Sequence, residues 1–141
     1  TEAEWEFAAR GTDGRRYPWG DTDDPTRVCA GRPFDGATPL TCPEDDPAFL
    51  PGQSPFGLLH MAGNVEEWTA DYYSEAYTEF APTSGASRVL RGGGWLSAPS
   101  LATTTARDWA SALEAGPNVG FRCAKDDSGD GGVGAPKPRA K

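Results

Sequence analysis

The stretch from Gly57 to Tyr73, Gly-Leu-Leu-His-Met-Ala-Gly-Asn-Val-Glu-Glu-Trp-Thr-Ala-Asp-Tyr-Tyr, constrains this chain more than any other. Gly63 and Asn64 tolerate left-handed backbone angles, so the chain can turn sharply there and aim carbonyl oxygens inward. Glu66 and Glu67 follow at once, ahead of a strand-like aromatic run. Adjacent residues on an extended chain point to opposite faces, so one carboxylate faces the turn while the other faces solvent. Converging carbonyls plus a carboxylate are a hard-oxygen set that suits calcium. The same spacing also fits a plain hairpin turn leading into a half-buried strand.

What surrounds this stretch is poor in regular structure. Hydrophobic residues make up 37% of the 141, with 18 Gly and 13 Pro, which argues for a loop-rich fold rather than a helical bundle or a doubly wound sheet. Five Trp, six Phe and four Tyr compensate, because each aromatic buries a large area. A net charge of −8 excludes non-specific nucleic-acid binding as a main role. No apolar run approaches the roughly 20 residues of a membrane-spanning helix. Residues 125–141 contain all the lysines and no aromatic, so they are read as a disordered tail behind a domain at 1–124. With the tail set aside, the domain holds nine Arg against eighteen Asp and Glu, so its surface is acidic.

In chain order, Thr1-x-x-Glu4 fits a capping box and Gly11 a stop, with Trp5, Ala8 and Ala9 on one docking face. Residues 12–27 are turn material, and 27–55 form a long loop that Cys29 and Cys42 can pin with a disulfide or leave as two free thiols. A disulfide would place the chain in an extracytoplasmic compartment. Strands are expected at Glu66–Tyr72, Arg88–Arg91, about Thr103–Asp108 and Val119–Ala124, with Cys123 as a small buried residue of the last. Gly92-Gly93-Gly94 lacks the Lys-Ser/Thr of a phosphate-binding loop. His60 has no Ser or Cys partner at a recognisable spacing.

Five segments carry a family resemblance, in the right order: Thr-Glu-Ala-Glu-Trp-Glu-Phe-Ala-Ala-Arg-Gly at 1–11, Tyr-Pro-Trp-Gly-Asp at 17–21, Gly-Leu-x-x-Met-Ala-Gly-Asn-Val-x-Glu-Trp at 57–68, Arg-Val-Leu-Arg-Gly-Gly-Gly-Trp at 88–95 and Gly-Phe-Arg-Cys-Ala at 120–124. Together they resemble the C-terminal part of the formylglycine-generating-enzyme (sulfatase-modifying factor) family. The fold this implies is α+β, that family's variant of the C-type-lectin fold. Its enzymes oxidise a sulfatase cysteine to formylglycine, the copper-dependent members with copper(I) held by two cysteines. Soft thiolates are what that ion needs. Those positions fall on Ser97 and Ala102 here, so copper is not expected, and the resemblance implies a lectin-like module binding a peptide or small molecule. The alternative is an oxidoreductase of the formylglycine-generating type. By the same resemblance Trp95, Ser97, Arg107 and Trp109 are the candidate ligand-binding residues. A structural calcium would be held by the carbonyls of Gly63 and Val65, the carboxylate of Glu67 and a side chain at His60, where an imidazole weakens the site.

Overall fold

The computed structural model describes residues 1–37, 40–76 and 82–125. The proposed tail therefore lies, apart from Lys125, outside the described residues. Helix α1 spans Glu2–Arg10 and forms as its sequence dictates. The Thr1 hydroxyl accepts from Glu4 N while the Glu4 carboxylate binds back at Thr1, and Gly11 ends the helix at φ 67°. Its Trp5 and Ala9 pack with Met61 in one small core, joined at the edge by Ala8 and Leu58.

Among the described residues four strands make one sheet: β1 Glu66–Tyr72, β2 Ser87–Arg91, β3 Arg107–Ser111 and β4 Val119–Gly120, in the spatial order β3-β2-β1-β4. The β1–β2 and β2–β3 pairs are antiparallel, and β4 runs parallel to β1. The register sets Glu67 opposite Arg91 and Arg91 opposite Arg107, and on the other face Leu90 opposite Trp68 and Asp108. Helix α1 covers the first face, where buried Arg91 pairs with Glu2 and Glu6 and its guanidinium lies 5.1 Å from the Trp5 ring.

Two expected strands differ. Residues 103–106 form a turn rather than the start of β3. Their backbone is already committed: Thr104 N donates to Arg16 O at 2.9 Å, and the carbonyls of Thr104, Thr105 and Ala106 all accept from Arg91. β4 stops at Gly120 instead of reaching Ala124, and Cys123 is an exposed free thiol rather than a core residue. Arg122, two residues past the last ladder pair, is committed to Glu67 and the carbonyls of Leu59 and His60, so the segment serves the 59–67 turn instead of extending the sheet.

The long loop is pinned as one of its two readings foresaw. Cys29 and Cys42 are joined by a disulfide, and two 3-10 turns at Pro25–Arg27 and Pro47–Gly52 stack against one another. This loop is tied to the central turn: Asn64 N donates to Cys29 O at 2.7 Å, and the Asn64 side chain accepts from Cys42 N at 2.9 Å. Gly63, at φ 72°, sits so close to Cys29 that a Cβ would lie 2.6 Å from its carbonyl oxygen. Only glycine satisfies both demands.

Candidate functional site: a pocket beside Ser97

The pocket begins with the glycine run that follows β2. Gly94 lies against Asn118, where a Cβ would fall 2.1 Å from the Asn118 side-chain oxygen. Gly94 N donates to Ser97 Oγ at 3.0 Å, and Ser97 N donates back to Gly94 O, closing a tight loop. Ser97 and Ala102 then flank Gly93 from the same side, 3.1 Å and 3.5 Å from a Cβ placed there. Ser97 and Ala102, the positions that the resemblance sets on the copper cysteines, are thus brought together in space, carrying a hydroxyl and a methyl.

Beside them opens a pocket of about 240 Å³, whose lining includes Glu66, Leu90, Ser97, Leu101, Arg107 and Asp108. The alternation of β1 sends Glu66 to this face and Glu67 to the helix face, as adjacent strand residues require. Burial, then the nearby charge of Asp108, raise the carboxyl of Glu66 above its ordinary range, although Asn118 Nδ2 donates to it at 3.3 Å.

The four candidate ligand residues separate. Ser97 lines the pocket. Trp95 is buried beneath it, its indole N–H donating to Pro117 O at 3.1 Å and its ring stacked on Phe34, so it shapes the loop from inside. Arg107 lines the pocket as well, and its guanidinium meets the carboxylate of Glu2 and the carbonyl of Ser74. Its carboxylate partner lies on helix α1. Trp109 is half-exposed against Tyr73 at 5.7 Å and lines a separate groove with Glu75, Ala86 and Ser87. Sequence reasoning missed Glu66 as a pocket residue, along with Asp108, Leu90 and Leu101. The alternation at Glu66-Glu67 was the available signal; the register that sets Asp108 opposite Leu90, on the face that Glu66 shares, had none.

The calcium candidates are each held by neighbours of their own. Glu67 is buried at 5% exposure. One of its oxygens accepts from Trp5 Nε1 at 2.8 Å and from Arg122 Nε at 2.6 Å, and the other from Arg122 at 2.6 Å. The same guanidinium donates to Leu59 O at 3.0 Å and His60 O at 3.3 Å. His60 adopts φ 54° and its ring Nε2 lies 3.4 Å from Pro43 O, with its pKa lowered chiefly by burial. Gly63 N donates to Gly92 O, and Val65 packs against Gly120. This donor set does not fit calcium well: its carboxylate is already neutralised by an arginine, and its side chain at 60 offers nitrogen where the ion prefers oxygen.

The sulfatase-modifying factor enzyme 1-like domain family matches residues 1–127. The chain is 38% identical over 143 residues to a formylglycine-generating enzyme of Streptomyces coelicolor, covering 89% of this chain and 46% of that protein. It is 37% identical over 141 residues to an inactive C-alpha-formylglycine-generating enzyme 2 of Bos taurus, covering 88% and 42%. It therefore spans a little under half the length of these relatives. Among solved structures, PvdO from Pseudomonas aeruginosa superposes with a TM-score of 0.68 at 22% identity, covering 86% of this chain and 49% of that one. Treponema denticola variable protein 1 superposes with 0.64 at 28% identity, covering 86% and 44%. The arrangement of one α-helix, four strands and many loops among the described residues is thus the family's C-type-lectin-like α+β fold. This chain belongs to the sulfatase-modifying factor family.

Proposed function

We propose that the domain is a non-catalytic, lectin-like binding module that takes a peptide or small-molecule ligand in the pocket beside Ser97 and has lost copper-dependent cysteine oxidation. One observation carries this reading: the side chains flanking Gly93 are those of Ser97 and Ala102. A hydroxyl is a hard ligand and a methyl is none, whereas copper(I) selects thiolates. Cys29 and Cys42 are joined to each other, which leaves Cys123 as the free thiol among the described residues. The similarity to a formylglycine-generating enzyme at 38% identity favours the second reading, an active oxidase of that type. Copper(I) competition against a chromophoric chelator separates the two. The parent chain is expected to lose to the chelator, and Ser97→Cys with Ala102→Cys to win. Tight copper binding by the parent would overturn the reading.

Calcium belongs to the same proposal as a weak ligand of the 60–67 turn, because it must displace the Arg122 guanidinium from Glu67. The disulfide supports an extracytoplasmic setting, since such bonds persist where the medium is oxidising. Among the described residues no helix is long and apolar enough to cross a membrane.

A further inference from the structure

Among the described lining residues of the pocket beside Ser97, two of the three charged ones are acidic. Glu66 and Asp108 both line it, and among the described residues neither carboxylate has an ion-pair partner. Arg107 is the one cation among the described lining residues, and its guanidinium is directed to Glu2 on the helix side. The apolar part of the lining is equally specific. Leu90 is buried at the floor, paired across the ladder with Asp108, and Leu101 stands exposed at the rim. At about 240 Å³ the space falls just below the roughly 300–1,000 Å³ of ordinary ligand pockets, which suits one side chain or a fragment of that size.

A carboxylate pair above an aliphatic floor calls for a compact cation on a hydrocarbon stem. A divalent metal is a poor answer, because calcium takes six to eight oxygens and the described residues hold no cluster of three His, Cys, Asp or Glu able to bind an ion. A guanidinium is planar and needs a matching fork, whereas an ammonium is a point charge with three rotatable donors that two carboxylates can share. We propose that this pocket binds a primary ammonium group on a short aliphatic stem, its methylenes against Leu90 and Leu101 and its nitrogen between Glu66 and Asp108. The inference rests on the reading of this pocket as the domain's binding site. It names the ligand's chemistry, which a free alkylamine and a lysine side chain share.

The test is an NMR titration of the full chain with n-butylammonium and, separately, with 1-butanol, which has the same stem and no charge. Butylammonium is expected to shift the Leu90, Gly93 and Ser97 resonances saturably, with butanol about tenfold weaker or more. Glu66→Gln keeps the Asn118 contact and breaks no ion pair, and it should erase that difference; Asp108→Asn should reduce it. Equal binding of the two probes by the parent would overturn the ammonium inference and leave the pocket standing. No shift from either probe would overturn the pocket as well. A capped lysine amide run in parallel assigns the source: tighter binding than butylammonium points to a peptide side chain, weaker binding to a free amine.

Discussion

Glu66 and Glu67 are neighbours on one strand and share a side chain, yet the two faces of the sheet treat them oppositely. On the helix face Glu67 is buried and met by two arginine nitrogens and an indole N–H. Arg91, Glu2, Glu6 and Arg107 beside it are joined in the same way, so that face is a closed network of paired charge. On the pocket face Glu66 has an amide for company and a second carboxylate nearby. Burial without a counter-charge costs stability, and it persists where the structure over-determines it or where a ligand supplies the missing charge. The helix face is therefore the scaffold, and the pocket face is where binding is proposed.

The comparison breaks most visibly at Glu67. Glu67→Ala removes the carboxylate shared by the Trp5 N–H and the Arg122 guanidinium, leaving the indole without its acceptor and the arginine charge without its counter-ion. It should cost about 3 kcal/mol or more in chemical denaturation, whereas Glu66→Ala should stay within about 0.5 kcal/mol. Equal losses at the two sites would show that the faces do not differ. Next in size is the disulfide that anchors the turn ahead of both glutamates. Reduction should cost about 3 kcal/mol, and thiol titration of the unreduced protein should find one free thiol. Finding three would remove the pin.

The pocket face responds to pH through Glu66. Because burial raises the Glu66 carboxyl above the ordinary 4.5, its charge is lost on acidification earlier than that of an exposed glutamate. Asp108, Arg107 and Asn118 are the charged and polar groups facing it. Butylammonium affinity should therefore rise with pH through that raised value and level off above it, by about tenfold in all. The same profile in Glu66→Gln would move the titration elsewhere. Folding carries the opposite sign. A carboxyl with a raised folded-state pKa costs stability above that value and costs none below its unfolded one. Glu66→Gln should thus stabilise slightly at neutral pH and be without effect in acid. The smallest effect is expected of calcium. Millimolar calcium should lift the melting temperature only slightly in the parent, more in His60→Asp, and not at all in Glu67→Gln. Indifference in the parent and in His60→Asp alike would mean that the turn has no calcium site.

Much of this molecule is local in origin. The capping box, the Gly63-Asn64 turn, β1 and the opposite facing of Glu66 and Glu67 follow from a few adjacent residues and the geometry of an extended or helical chain, so the sequence by itself determined them. The family fold was legible because five short segments kept their order, and Ser97 and Ala102 could be placed by counting from Trp95. What tertiary structure decided involves partners far apart in the chain. Arg107 looked like a ligand-binding cation until Glu2, 105 residues away, took its charge. Arg91 drew the carbonyls of 104–106 out of the expected third strand, and Arg122 took up Glu67 in the turn where calcium was expected. Local propensity fixes which way a side chain faces. Which opposite charge it meets there depends on strand register and helix docking, and those bring together residues that no sequence window contains.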